Sequence, residues 1–173
     1  MATFFQITTA AKSVLYVIDR SASMGLQNSF ARAKQELLAS IELLAADTRF
    51  QVLAYNRSAL PLPIAGHSGL AWATPENKRR AAELVRSLQA EGGTDHVAAL
   101  KRALALNPDV IFFVTDADEL KPAQIATITQ LNHGRTAIHA IELSSRMHDD
   151  PDTPLQLLTR ANHGAYRRVA VEP

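Results

Sequence analysis

Ser13-Val14-Leu15-Tyr16-Val17-Ile18-Asp19-Arg20-Ser21-Ala22-Ser23-Met24-Gly25 is the stretch from which the fold can be read. Its first six residues are almost all apolar and include two valines and an isoleucine, the pattern of a strand buried on both faces. The pattern stops at Asp19 and gives way to small polar residues, so the strand ends in a loop. Val110-Ile111-Phe112-Phe113-Val114-Thr115 repeats the design and also runs into an aspartate, Asp116.

Outward from these two runs, strands alternate with helices. Phe30, Ala33, Leu37, Ile41 and Leu44 recur at helical spacing, which predicts an amphipathic helix over 29–46. Phe50 to Tyr55 reads as a second strand. Leu60 to Ile64 carries Pro61 and Pro63, so a strand there lies at an edge. Thr74-Pro75 starts a helix with a cap and a proline in its first turn. Ala81, Leu84, Val85 and Leu88 form its inner face, and Gly92-Gly93 ends it. A further helix begins near Asp95 with Val97, Leu100 and Leu104 inward. Pro122 opens one that buries Ile125, Ile128 and Leu131 and closes at His133-Gly134. Ala137 to Leu143 is a strand, Thr153-Pro154 starts a helix stopped by Gly164, and Tyr166 to Val171 is the last strand. The alternation predicts an α/β fold, a mostly parallel sheet with helices on both faces. Trp72, Phe112 and Phe113 are expected to pack. The histidines (His67, His96, His133, His139, His148 and His163) show no ligand spacing, and most are expected at the surface. Gly66 to Gly69 and Arg146 to Asp152 are expected to be exposed loops.

The 173 residues suffice for one domain. Such a domain buries about 70% of its unfolded surface without disulfides or a structural metal. A hydrophobic fraction of 47% and a charged fraction of 20% are globular values. Eighteen basic and seventeen acidic residues leave a charge of +1, which gives no electrostatic case for nucleic acid or a membrane surface. The absence of cysteine excludes thiol catalysis and Cys-ligated zinc. Apolar runs such as Val110 to Val114 fall far short of the roughly 20 residues of a spanning helix, and Met1 to Gln6 lacks the basic region of a secretory signal. A soluble single domain over 1–173, with its core at about 13–171, is expected, whole or as part of a longer protein.

The chemistry gathers at strand ends. In open parallel sheets, ligands bind beyond the carboxyl ends of strands, where strand order reverses. Asp19 and Asp116 stand at two such ends, and Glu91-Gly92-Gly93-Thr94-Asp95 opens a helix between them in sequence. Asp19, Ser21 and Ser23 alternate, so a looping backbone can aim all three at one centre. Carboxylates and hydroxyls suit a hard divalent cation. No His-rich or Cys-rich set offers a site for zinc or copper. Asp95 reads as a helix-start residue, and Asp118 as exposed or one contact removed from the site.

Asp19-x-Ser21-x-Ser23, then Gly93-Thr94-Asp95, then Thr115-Asp116 together resemble the metal-ion-dependent adhesion site of a von Willebrand factor A-type domain. The order, spacing and strand contexts fit, and the resemblance runs from about Ser13 to Val171. It implies a doubly wound, Rossmann-like sheet in the order 3-2-1-4-5-6 with an antiparallel edge strand. It implies Asp19, Ser21, Ser23, Thr94 and Asp116 as the ligand set. The three hydroxyls would bind directly, and the aspartates directly or through water. Mg²⁺ is the usual cation and Mn²⁺ a substitute. Ala22 and Ala117 depart from the family, where glycine is frequent at both places, and alanine disfavours positive φ. Val17-Ile18-Asp19-Arg20-Ser21 resembles bacterial members more than integrin or collagen-binding ones.

The function implied is a non-enzymatic binding module, expected as a monomer. Its cation presents an open coordination position to a Glu or Asp of a partner protein. The competing class is a magnesium-dependent phosphoryl-transfer enzyme or phospho-acceptor using Asp116 and Asp118. Against it, no lysine-bearing phosphate loop follows in an obvious place. The nucleotide-binding and hydrolase signatures G-x-G-x-x-G, G-x-x-x-x-G-K-[ST] and G-x-S-x-G are absent.

Overall fold

The computed structural model describes residues 1–172. In chain order it contains β1 (Ala2–Phe4), β2 (Ile7–Thr9), β3 (Ser13–Asp19), α1 (Ser29–Glu42), β4 (Arg49–Tyr55), β5 (Ala59–Pro61), β6 (Ala71–Trp72), α2 (Pro75–Ser87), α3 (His96–Leu104), β7 (Val110–Thr115), α4 (Pro122–Asn132), β8 (Ala137–Ser144), α5 (Pro154–Ala161) and β9 (Tyr166–Ala170). Among the described residues, no helix is long and apolar enough to cross a membrane.

The main sheet runs β5-β4-β3-β7-β8-β9, with β6 also paired to β4. β4, β3, β7, β8 and β9 are parallel, and β5 and β6 are antiparallel to β4. Numbered by sequence without the hairpin and β6, these strands follow the expected order 3-2-1-4-5-6. Strand order reverses between β3 and β7. Their register sets Ile18 opposite Val114, so Asp19 and Thr115 come level at the carboxyl end.

Continuous apolar sequence is what places these two strands in the middle. Every residue of β3 and β7 is buried, because helices cover both faces. Phe30, Ala33, Leu37 and Ile41 of α1, with Ala81 and Val85 of α2, pack on one face. Leu100 of α3, Ile125 and Ile128 of α4, and Leu155 and Leu158 of α5 pack on the other. Tyr16 of β3 bonds Ser40 of α1 through their hydroxyls at 2.7 Å, which gives the one polar atom of a buried ring its partner. Burial pushes that phenol well above its usual pKa.

The structure departs from the sequence reading in four places. α1 stops at Glu42 rather than at residue 46, although Leu44 is still buried. Leu131 is exposed, and the buried residue of that turn is Asn132. The Asn132 amide bonds Thr136 O and Asn162 Oδ1 at 2.7 and 2.8 Å, and its oxygen accepts the Thr136 N–H at 2.9 Å. A satisfied polar knot therefore replaces a leucine. Trp72 is exposed, with the Arg49 guanidinium 5.7 Å above its ring. Finally, β1 and β2 form a hairpin ahead of the expected core, turning through Phe5 and Gln6 in the left-handed region.

That hairpin is part of the core. Phe4 meets Tyr16 and Phe112 edge-on, with centroids 5.3 and 5.4 Å apart. Phe4→Ala should lower unfolding free energy by about 3–5 kcal/mol, the usual cost of emptying a buried aromatic site. Urea denaturation checks this, and a loss under about 1 kcal/mol would place the hairpin outside the cooperative core.

Candidate functional site

Asp19 ends β3 and is wholly buried. Its Oδ1 accepts the Ser21 N–H at 2.8 Å, and its Oδ2 accepts the Thr115 hydroxyl at 2.7 Å. The first bond is local, two residues along the chain, and the second follows from register, since Thr115 ends the neighbouring strand. Ser21 Oγ lies 3.1 Å from Ser23 Oγ, and Ser23 donates to Asp116 Oδ1, also at 3.1 Å. Ser23 spends its proton on Asp116, so Ser21 is the donor to Ser23. Three of the five expected residues thus form one connected row of oxygens, and the Ser21 N–H ties Asp19 to it.

Thr94 comes close through its loop rather than through its side chain. Glu91 N–H donates to Arg20 O at 2.7 Å, and Ala22 N–H donates to Gly92 O at 2.9 Å. Asp95 N–H donates to Asn56 O at 2.8 Å. The first two bonds lace the Gly92-Gly93-Thr94 loop to the Asp19–Ser23 loop, and the third ties it to the end of β4. Thr94 itself is half-buried, and its hydroxyl bonds none of the other four. Asp95 caps α3, accepting Ala98 N–H at 3.0 Å, as a helix-start residue should. Ala22 and Ala117 are both outside the positive-φ region, so alanine is no strain at either place.

The row has the spacing of a small hard cation's ligands. Neighbouring oxygens of an octahedron around Mg²⁺, each at about 2.0–2.1 Å, lie roughly 2.9 Å apart. The two separations of 3.1 Å differ from this by a few tenths. Among the described residues no Lys or Arg pairs with Asp19 or Asp116, although burying a carboxylate without a countercharge is costly. Burial pushes the Asp116 carboxyl above its ordinary value; the Ser23 hydroxyl pulls it back, and the charge of Asp19 adds to the rise. No three His, Cys, Asp or Glu side chains among the described residues are placed to hold a metal, so a cation here depends on the hydroxyls as well as the two carboxylates.

Beneath the row lies a pair that the sequence reading only half noticed. Tyr55 pairs with Asp19 across β3 and β4, and its hydroxyl is 2.8 Å from Nδ1 of the buried His96. Burial, then the charge of Asp19, raises the Tyr55 phenol. Burial lowers the His96 imidazole despite the nearby Asp19, Glu119 and Asp116. His96 was visible as a neighbour of Thr94; Tyr55 had no signal beyond ending a strand.

His139, on β8, is also buried and is lowered by burial alone. For both histidines the folded pKa lies below the ordinary imidazole value of 6.5. Their stabilising contribution is therefore complete above pH 6.5 and is lost as pH falls toward the folded values. The chelated protein should melt at lower temperature at pH 5 than at pH 7, with a slope of at most about 1.4 kcal/mol per pH unit for each histidine. His139→Leu should flatten that slope, and an unchanged slope would count against the assignment.

Comparison with known proteins agrees with the fold. The family model for the von Willebrand factor type A domain matches residues 14–119, well over half of the chain. A von Willebrand factor type A protein from Catenulispora acidiphila superposes with a TM-score of 0.78 at 23% identity, over 94% of this chain and 39% of that one. The chain therefore spans about two fifths of the length of that protein. The SpRpn10 VWA domain superposes with a TM-score of 0.70 at 10% identity, over 95% and 90%. The PilB minor pilin from Streptococcus sanguinis, a D319A mutant, gives 0.64 at 13% identity, over 94% and 58%. Curated proteins give no match. The chain belongs to the von Willebrand factor type A domain family.

Proposed function

We propose that the chain is a non-enzymatic, monomeric protein-binding module whose site holds one divalent cation, Mg²⁺ or Mn²⁺, and takes a Glu or Asp side chain of a partner protein. Domains of this family are generally used for protein–protein interaction. The observation that carries the metal reading is the oxygen row from Ser21 through Ser23 to Asp116, spaced at 3.1 Å beside the buried Asp19.

A bound cation would supply Lewis-acid attraction for an incoming carboxylate at a coordination position the protein leaves open. Ser21, Ser23 and Thr94 bring neutral hydroxyls, and only Asp19 and Asp116 bring charge. Two carboxylates at most balance a divalent ion, and one held through water leaves an imbalance that an acidic guest relieves. Asp19 is held in place by its two hydrogen bonds, so its carboxylate needs little reorganisation.

Two further observations support a protein guest. Leu26 and Met147 are 66% and 79% exposed and line the same cavity as Ser23 and Asp116; apolar surface of this kind is what an interface covers. Three titratable neighbours have structural bonds of their own. Asp95 caps α3, His96 bonds Tyr55, and Asp118 Oδ1 holds the Leu155 N–H of α5 at 2.9 Å. Each of the three spends one polar atom on a structural bond, which supports a reading without a chemical step.

Calorimetry on chelator-treated protein should give one Mg²⁺ or Mn²⁺ site per chain. Saturation at a hundred times Kd should add about 2.7 kcal/mol of stability. No heat and no thermal shift at roughly millimolar cation would contradict the reading. Turnover of a generic phosphate ester would move it to the enzyme class.

A further inference from the structure

We propose that the cavity beside the candidate metal site receives a cationic side chain of the partner, so that the chain recognises an acidic and a basic residue one or two positions apart; this rests on the reading above. A cavity of about 620 Å³ is lined by Ser23 and Asp116 and also by Asp118, Glu119, Glu142 and His148. Thr115 pairs with Glu142 across β7 and β8, so Glu142 stands one strand, about 4.8 Å, from the residue before Asp116.

Glu142 is the unusual member. It is 5% exposed, yet only one of its oxygens is used. The Tyr166 hydroxyl donates to Oε2, and His148 Nε2 lies 3.3 Å from the same atom. Oε1 has no hydrogen-bond partner among the described residues, on a side chain that lines the cavity. Asp118 adds a second negative charge on the same wall, with Oδ1 holding Leu155 and Oδ2 buried. Among the described residues no Lys or Arg pairs with Asp116, Asp118, Glu119 or Glu142. Arg146 lines the cavity too but reaches none of them.

A nearly buried carboxylate with an unused oxygen favours a guest that brings positive charge and N–H donors. A second metal does not suit, since no three acid or imidazole side chains are placed to hold one. A Lys ammonium or Arg guanidinium does suit, because each offers several donors and no acceptor. An extended chain advances about 3.3–3.6 Å per residue. A basic residue one or two positions from a carboxylate at Asp116 therefore falls over the neighbouring strand.

The first test needs no metal. Methylguanidinium is titrated into isotope-labelled protein in excess chelator at constant ionic strength, and amide shifts are followed. Saturable shifts are expected at residues 117–119 and 142–148. Glu142→Gln should weaken binding about tenfold or more. Glu119→Lys should also weaken it, and its exposed position keeps that variant folded if Glu142→Gln is not. No saturable shift at those amides, or an unchanged affinity in the folded variants, overturns the proposal. The second test adds magnesium and compares the capped peptides Asp-Lys and Asp-norleucine. The lysine peptide should bind about tenfold tighter to the parent and equally to Glu142→Gln; equal affinities for the parent overturn the proposal. Saturable guanidinium binding with no magnesium-dependent binding of either peptide would support the cation cavity and overturn the metal reading instead.

Discussion

Asp19→Ala is expected to abolish divalent-cation binding while the protein stays folded. The carboxylate sits at the buried end of β3, level with Thr115, and is tied to the oxygen row through the Ser21 N–H. Even residues that only support a metal ligand change affinity about 10–100-fold when lost, so removing a ligand should weaken Kd by at least about a hundredfold. Stability should respond far less. The change strands the Ser21 N–H and the Thr115 hydroxyl, at a cost of about 1–3 kcal/mol each if they stay dry. It also removes a buried carboxylate that no Lys or Arg neutralises, which offsets that cost. The thermal midpoint of the variant should therefore be insensitive to magnesium, and its circular dichroism should match the parent. A collapsed spectrum would make Asp19 a folding residue instead.

Gly164→Ala is expected to destabilise the protein by at least about 3 kcal/mol, above the ordinary range for overpacking. A Cβ there would lie 1.7 Å from Ile138 O and 2.3 Å from Ile138 C, with His139 N at 3.0 Å. All three atoms are backbone, so no side chain can swing aside. The turn cannot yield cheaply either, because Gly164 N–H donates to Thr159 O and Ala165 N–H donates to His139 Nδ1, both at 2.9 Å. Gly66→Ala is the control. Its φ of +76 carries strain, but nothing lies within 4 Å, so a cost of about 1–2 kcal/mol is expected. Urea denaturation separates the two. Equal losses would remove the close approach of β8 as the cause.

The contrast between these glycines shows what the sequence could and could not say. Gly164 reads as a helix stop, and α5 does end three residues before it. Its larger role, admitting the β8 backbone, depends on a contact between residues 26 apart that no local pattern encodes. The central strands were legible because burial on both faces leaves an unbroken apolar run. The β1–β2 hairpin was not, because Phe5 and Gln6 occupy turn positions that Asn and Gly usually mark. Asn132 was missed for a related reason. Helical spacing predicted an apolar residue at that turn, and three hydrogen bonds supply instead what Leu131 would have supplied by burial.

The site divides in the same way. Asp19, Ser21, Ser23 and Asp116 were legible because they sit at strand ends whose register follows from the fold class. Thr94 was legible as a loop, and the structure ties that loop in place through backbone bonds. Glu142 was not legible at all. It lies inside an apolar strand, and only the pairing with Thr115 brings it beside Asp116 of the candidate site. Tyr166 and His148 reach it from two further segments.

The most direct test of the central claim is a crystal grown with manganese and acetate, examined for anomalous scattering. One peak is predicted, about 2.1–2.2 Å from Ser21 Oγ and Ser23 Oγ, with Thr94 Oγ1 and the carboxylates of Asp19 and Asp116 bound directly or through water, and with an acetate oxygen at the remaining position. A well-ordered site without a peak at roughly millimolar manganese, or a peak held by other residues, would contradict the account.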